Sequence, residues 1–247
     1  MTTKIFLLIL LALPALAAGP AQYSKRDILW RVVSYCLQEG PDRAAYCRDC
    51  PSPLENLLPV CAGSPVLNAE AACRRSTQVW AKTSRFVALR DRKMCGCPES
   101  FVHGLALPLS KVSGAEDPAR PAGIWRFAWD EALKKIADKE SVILAANPRI
   151  RRTQDQLHIH IVRLADGARE RFLAFKPLRV KNLKDVWAVA AQHAVSTGLA
   201  EGSYGVGVIA APGGGWQVAA SSESLESMFS AYSCILQPAW KPGERDR

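Results

Sequence analysis

The chain of 247 residues has only four histidines, and it lacks three patterns that would point directly to a known activity. The triple glycine at residues 213–215 is not followed by Lys-Ser or Lys-Thr and a helix, as a phosphate-binding P-loop requires, so it predicts a turn. The Cys47-x-x-Cys50 pair has no strand-then-helix context, which disfavours thiol redox catalysis. The apolar run at residues 5–16 is shorter than the roughly 20 residues of a membrane-spanning helix.

The N-terminus nevertheless has the pattern of an export signal. Lys4 supplies a positive start, residues 5–16 form an apolar stretch, and residues 15–17 form a small-x-small cleavage site. Residues 12–21 stay apolar or small, which leaves an uncleaved anchor open as the alternative. We therefore expect an exported protein in which residues 1–18 are a signal peptide or a signal anchor.

Export makes the cysteine pattern informative, because thiols outside the cytoplasm tend to oxidise. Seven of the eight cysteines lie between residues 36 and 97, and Cys234 stands near the end. The odd number in the cluster predicts that one of its members pairs with Cys234. A zinc site formed by Cys47, Cys50, Cys95 and Cys97 is the alternative, and the export signal disfavours it.

Residues 19–84 are predicted to form a helical, cysteine-rich extension. Apolar residues in segment 27–37 recur at helical spacing, and Asn68 can cap a helix over residues 69–80. Prolines break the segment between these two helices. We interpret the extension as a disulfide-pinned cover beside the main domain.

Residues 85–237 are predicted to form that main domain, followed by a C-terminal tail at 238–247. Its strands and helices occur in mixed order with short connections, which is typical of an α+β fold around an antiparallel sheet. The predicted strands cover residues 86–89, 101–107, 141–146, 152–162, 204–210 and 216–220. The predicted helices cover residues 125–139, residues 183–196 and a last segment capped by Ser221 or Ser222 that reaches Leu236. In the first helix, the residues expected to face inward are Trp129, Leu133, Ile136 and Ala137.

The segment at residues 152–162 contains two of the four histidines. Successive strand side chains point to opposite faces. One face would carry Leu157, Ile159 and Ile161. The other face would carry Gln154, Gln156, His158, His160 and Val162. Two imidazoles on one face, about 7 Å apart, are suited to be metal ligands, a nucleophile with its partner, or exposed polar groups.

The residues around this strand favour an anionic ligand over a metal ion. A metal site with open chemistry usually needs a third ligand, and the only close carboxylate, Asp155, is expected on the opposite strand face. Basic and amide side chains lead into the histidines instead, and a phosphate is their typical partner. They are Arg149, Arg151, Arg152, Thr153 and Gln154. His193, in the predicted helix 183–196, is interpreted as structural.

Two separated segments resemble the histidine-triad (HIT) superfamily of nucleotidyl hydrolases and transferases. The first contains Asn147, Gln154, His158 and His160 at the separations found there. The second, residues 102–108, resembles the superfamily's earlier His-apolar-apolar-apolar-Pro strand and includes His103. Val162 stands where the third histidine of the triad would be. The resemblance implies a HIT-like antiparallel sheet flanked by helices.

A closer resemblance is to the bacterial CDP-diacylglycerol pyrophosphatases, a branch that also lacks the third histidine. It is carried by residues 152–154, by residues 107–108 leading to 113–118, and by residues 202–205. It implies hydrolysis of the phosphoanhydride of CDP-diacylglycerol to CMP and phosphatidate, in phospholipid metabolism. The formal charge of +9 suits an anionic membrane surface as partner, with no nucleic acid polymer. The implied location is the periplasmic face of the inner membrane.

The resemblance also implies roles for individual residues, without a metal or another cofactor. His160, at the middle position of the triad, would attack the cytidine-proximal phosphorus, and His158 would position it. Gln154 and Asn147 would orient the substrate, while Thr153 and Arg152 would hold nonbridging oxygens and His103 would tune the opposite wall. The alternatives are a HIT-like hydrolase of a soluble dinucleotide or nucleotide-sugar, and an exported metal-binding protein.

Overall fold

The computed structural model describes residues 24–37, 79–91, 94 and 100–231. In this part of the chain, eight strands form one sheet in the order β1-β2-β3-β5-β4-β7-β8-β6, and all neighbours are antiparallel. The strands are β1 (Val79–Lys82), β2 (Phe86–Arg90), β3 (His103–Pro108), β4 (Val142–Ala146), β5 (Ile159–Arg163), β6 (Leu178–Val180), β7 (Gly205–Ala210) and β8 (Trp216–Ser221). The histidine strand β5 therefore lies in the interior of the sheet, between β3 and β4.

Five α-helices accompany the sheet in the described part of the chain. They are α1 (Ile28–Arg31), α2 (Ile124–Lys135), α3 (Ala168–Leu173), α4 (Val186–Ser196) and α5 (Leu225–Phe229). Helix α1 continues a 3-10 turn, Lys25–Asp27, and leads into a π-helical turn, Val32–Cys36, so the helix predicted over residues 27–37 is confirmed. None of the helices in the described ranges is both long and apolar enough to cross a bilayer.

The sheet has an apolar layer on each face. On one face, Ile159 and Ile161 of β5 pack in a cluster with Trp125 of α2 and Trp187 of α4. The opposite face carries two separate clusters. One contains residues of α3, α5, β4 and β7, and the other joins Val33 to strands β2 and β3.

The histidines fill the interval between these two clusters. His160 lies opposite Leu105 of β3 and Ala145 of β4, and these two belong to the two different clusters. Side chains of directly paired strand residues share a face. His160 is therefore enclosed by apolar packing on both sides, and the interpretation of His158 and His160 as exposed polar groups is wrong, because they are only 8% and 5% exposed.

Several local predictions are confirmed by the strand and helix bounds. Strand β2 pairs with β3, β4 is a fully buried strand, and β7 and β8 form a hairpin whose turn holds Gly213, Gly214 and Gly215 at positive φ. Residues 183–196 form a 3-10 turn followed by α4. His193 is structural, since it accepts a hydrogen bond from the Ala220 amide and donates one to the Phe175 carbonyl.

Other local predictions are wrong. Helix α2 ends at Lys135, and its buried stripe runs through Trp125, Ala128, Trp129 and Ala132. Trp129 and Ile136 are buried as expected, but Leu133 is 37% exposed and Ala137 is exposed, because the stripe is rotated from the predicted face and the helix ends before Ile136.

The predicted terminal helices of the domain also differ from the structure. Val79 and Trp80 belong to β1 and not to a helix, so the sheet begins before Arg85. Helix α5 is capped by the Ser224 hydroxyl, and its C-cap Ser230 is already extended, so it does not reach Leu236. The export segment, the disulfides and zinc alternative of the cysteine cluster, the helix over 69–78 and the C-terminal tail lie outside the described residues.

Candidate active site

His158 lies just before β5, beside a small pocket that is partly open to solvent and whose volume of about 10 Å³ is room for roughly one water molecule. The residues lining it are Gly114, Ala115, Ala146, Asn147, Arg152, Gln156, Leu157 and His158. His158 Nδ1 is 2.7 Å from the Gln156 carbonyl oxygen, which can only accept. Nδ1 therefore carries the proton, and the lone pair of the neutral ring is on Nε2.

Burial keeps His158 neutral. It lowers the pKa of the imidazole below its ordinary value, and the hydrogen bond to the Gln156 carbonyl opposes this only in part. A neutral imidazole with a fixed tautomer has one available lone pair. His158 thus has the properties of a nitrogen nucleophile at neutral pH.

His160 lies deeper than His158 and its ring nitrogen already has partners. The two rings meet edge to face, with centroids 4.8 Å apart. His160 Nε2 is 3.2 Å from Asn147 Nδ2 and 3.8 Å from Glu226 Oε2. Because an amide nitrogen can only donate, the lone pair of His160 Nε2 accepts this hydrogen bond. His160 is not one of the described residues that line the cavity.

Asn147, which follows β4, connects the histidines to helix α5. Its Nδ2 donates to Glu226 Oε2 over 3.2 Å, and its Oδ1 accepts from the Ser224 hydroxyl over 2.9 Å. The Glu226 contact fixes which end of the amide carries the hydrogens, because a carboxylate oxygen can only accept. The two hydrogens of Nδ2 are sufficient for both Glu226 and His160. The expectation that Asn147 belongs with the histidines is therefore supported by direct contact.

His103 is buried between two carboxylates that sequence reasoning missed. Its Nε2 is 2.8 Å from Glu226 Oε1, and its Nδ1 is 3.0 Å from Asp91 Oδ2. Its ring also meets the edge of His160, with centroids 5.4 Å apart. Asp91 follows β2 directly and its amide bonds to the His103 carbonyl, so the predicted β2–β3 pairing could have located it. Glu226 comes from α5, and no local pattern signalled its position.

Most residues of this site lie in a segment that matches a known protein family. The family model described as CDP-diacylglycerol pyrophosphatase matches residues 66–193, which include β1 to β6, His103, Asn147, His158 and His160. The match extends over more than half of the 247 residues. The chain belongs to the CDP-diacylglycerol pyrophosphatase family.

Curated relatives carry the same family name. A protein of Mycobacterium tuberculosis (strain ATCC 25618 / H37Rv), "Probable CDP-diacylglycerol pyrophosphatase", is 42% identical over 67 residues, 23% of this chain and 26% of that protein. One of Mycobacterium leprae (strain TN) with the same name is 41% identical over 68 residues, covering 23% and 25%. The chain thus matches about a quarter of the length of these relatives.

Three other predicted site residues in this family member make contacts away from the histidines. Arg152 lines the cavity, but both of its terminal nitrogens are 2.7 Å from Glu116 oxygens, and its Nε is 3.3 Å from Asp155. Burial would raise the pKa of Glu116, yet the Arg152 hydrogen bonds hold it below the ordinary value. Gln154 Oε1 accepts from the Leu29 amide, and Thr153 is exposed.

The reason for this difference is the start of β5. Strand alternation begins only at Ile159, so the predicted alternation does not extend back to Gln154. Gln154 and Thr153 are not among the described residues lining the cavity. Gln156 instead has a structural role there: its Nε2 donates to the Pro108 and Ser110 carbonyls, and its Oε1 accepts from the Val112 amide. Gln156 thereby fixes the backbone that holds His158.

A metal ion has one candidate position among the described residues. Asp91, His103 and His160 offer ligand atoms within 4.8 Å of one another, and two imidazoles with a carboxylate are a donor set that zinc uses. The expectation that Asp155 is the only close carboxylate is therefore wrong, because folding brings Asp91 and Glu226 to the histidines. Asp155 instead pairs with Arg26 and Arg152.

Proposed function

We propose that this chain hydrolyses the phosphoanhydride of CDP-diacylglycerol, giving CMP and phosphatidate. Family membership supports the substrate, and one observation supports the chemistry: His158 lines the pocket, and its hydrogen bond to the Gln156 carbonyl leaves the lone pair of the neutral ring on Nε2. In the first step, Nε2 forms a bond to the cytidine-proximal phosphorus while the bond to the phosphatidate oxygen breaks. In the second, a water oxygen replaces Nε2 on phosphorus, and CMP leaves.

We assign the nucleophile to His158 in place of His160, which the sequence resemblance favoured. Attack requires a lone pair that faces the substrate. The lone pair of His160 Nε2 accepts the hydrogen bond of Asn147, whereas His158 presents Nε2 with its tautomer set by a backbone carbonyl. His160 and Asn147 then act as orienting groups behind the nucleophile.

In this proposal, Arg152 stabilises the negative charge of the phosphate that is attacked. Its guanidinium is on the cavity wall, and one of its two bonds to Glu116 would exchange for a nonbridging phosphate oxygen. A volume of about 10 Å³ holds about one water molecule, so most of a bound nucleotide would lie outside this pocket.

The HIT-like fold and the cellular context are parts of the same proposal. The HIT-like assignment rests on the sequence resemblance and is supported by the interior place of β5 between β3 and β4. Export to the periplasmic face of the inner membrane, and a role in phospholipid metabolism, rest on the N-terminal pattern and the substrate class.

The substrate is tested by comparing specificity constants for nucleoside monophosphate release. CDP-diacylglycerol in mixed micelles should exceed CDP-choline, ADP-ribose and diadenosine polyphosphates, with and without a chelator. A better soluble substrate would replace the lipid assignment with the alternative of a soluble-nucleotide hydrolase. No cleavage of any of them would contradict the enzymatic proposal.

A second candidate, an exported metal-binding protein, is favoured by the Asp91, His103 and His160 cluster. Tight zinc binding to the purified chain, lost in a His103→Ala and His160→Ala double variant, would support it. Turnover that a chelator leaves unchanged would count against it.

A further inference from the structure

The short 3-10 turn Arg149–Arg151, between β4 and β5, exposes an apolar side chain between two arginines. Ile150 is 74% exposed, and Arg149 and Arg151 are exposed on either side of it. Single exposed apolar residues are common on protein surfaces, so Ile150 has to be judged by its position and its neighbours.

The Arg149–Arg151 turn is bounded in sequence by two residues of the pocket wall. Asn147 and Arg152 stand on either side of it in sequence, and both line the cavity beside His158. Arg151 is paired with Glu223 at 2.8 Å, just before α5, so the turn is held against a neighbouring segment. Residues one or two positions apart in the chain are within about 7 Å of each other, so this turn is next to the part of the pocket wall that Asn147 and Arg152 form.

A second contact brings the start of the described chain to the same side of the site. Arg26 pairs with Asp155 at 2.6 Å, and the Leu29 amide donates to Gln154, so the N-terminal helix rests on the segment that follows the turn.

We propose that the Arg149–Arg151 turn docks on an anionic phospholipid bilayer. Ile150 enters the boundary between headgroups and acyl chains. Arg149 pairs with lipid phosphates, and Arg151 does so by exchanging its half-exposed pair with Glu223, as in other interfacial segments that combine apolar and basic side chains. The inference rests on the proposed function, since a diacyl substrate needs its headgroup in the cavity while its acyl chains stay in the membrane. Beyond the proposed function, the inference identifies the surface of the chain that faces the lipid.

Hydrogen exchange of the full chain measures docking of this turn directly, because it follows the backbone amides of the turn itself, whether or not the N-terminus also binds lipid. Amides of residues 149–151 should be protected on vesicles of phosphatidylcholine with phosphatidylglycerol, and not on phosphatidylcholine alone. Ile150→Ser should remove this protection. Val195→Ser is the matched control, because Val195 is 79% exposed on α4, which packs on β6 and β8.

Kinetics supply a second measurement on the same variants. Ile150→Ser should raise the KM for CDP-diacylglycerol in mixed micelles roughly 15-fold to 60-fold, from the loss of two or three inserted carbon groups. A short-chain, water-soluble CDP-diacylglycerol should be affected much less, and Val195→Ser should match the parent on both.

The outcomes separate the docking surface from the activity. Equal protection on both vesicle types, no protection on either, or Ile150→Ser behaving as Val195→Ser would overturn the docking proposal. Failure of the parent to cleave either form of CDP-diacylglycerol would overturn the proposed function, and the exchange result would still decide whether this turn meets an anionic bilayer.

Discussion

Replacing Glu226 by glutamine tests whether the buried carboxylate organises the histidine cluster. Glu226 receives His103 Nε2 at 2.8 Å and Asn147 Nδ2 at 3.2 Å, one on each oxygen. Glutamine has the same shape but one acceptor, so either His103 or Asn147 would face an NH₂ group. The carboxylate charge beside His160 Nε2 at 3.8 Å would also be lost.

The expected magnitude follows from these contacts. A hydrogen bond to a charged group contributes about 1.5–3 kcal/mol, and a buried donor left unsatisfied costs about 1–3 kcal/mol. We therefore expect Glu226→Gln to lower the free energy of unfolding by about 3 kcal/mol. Because Asn147 and His160 lose their fixed orientation, kcat for CMP release should fall about tenfold to a hundredfold, with a smaller change in KM.

Glu223→Gln is the matched control for this variant. Glu223 lies three residues earlier and pairs with Arg151, but both side chains are about half exposed. Exposed pairs contribute about 0–1 kcal/mol, so its unfolding curve in denaturant should stay close to that of the parent. If Glu226→Gln unfolds and turns over like Glu223→Gln, Glu226 does not organise the cluster.

Three further predictions concern the same site and the extension. Because burial lowers the pKa of His158, the acid limb of a kcat/KM profile should lie below pH 6.5, and an acid limb above pH 6.5 would contradict the lowered pKa. Between the folded pKa and 6.5, the unfolded chain binds more protons than the folded chain, so the free energy of unfolding should rise with pH in that range. Gln156→Leu removes three hydrogen bonds, two of them buried, and should cost about 2–4 kcal/mol in a denaturant titration, whereas a cost near zero would show that Gln156 does not hold the backbone. Thiol labelling of the denatured, nonreduced chain should find at least three disulfides, and mostly free thiols with bound zinc would reverse that prediction.

Side-chain periodicity was sufficient to predict part of the fold. The alternation of Ile159 and Ile161 with the histidines identified β5, and both isoleucines are in the core. The paired apolar runs identified β2 and β3 as neighbours. These features depend on residues close in sequence, and strand alternation is a strong local signal. Helix α2 was less well predicted, because several apolar residues surround its axis and the choice of buried face depends on the sheet beneath it.

The candidate site was harder to predict, because it is built by tertiary contacts. Asp91 and Glu226 reach His103 from the end of β2 and from α5, respectively. Gln154 was assigned to the histidine face by extending strand alternation into a segment that is not a strand. The structure turns it toward Leu29 on the N-terminal helix. Spacing alone could not assign different roles to His158 and His160, and the proposed assignment rests on their different hydrogen-bond partners.

Locating the covalent CMP adduct tests the central proposal most directly. The protein would be mixed in excess with CDP-diacylglycerol, quenched in alkaline denaturant within one turnover, and mapped by mass spectrometry. We predict CMP on His158, no adduct and no CMP release in His158→Ala, and a slower reaction in His160→Ala that still labels His158. An adduct on His160, or CMP release near the parent rate in His158→Ala, would contradict the account.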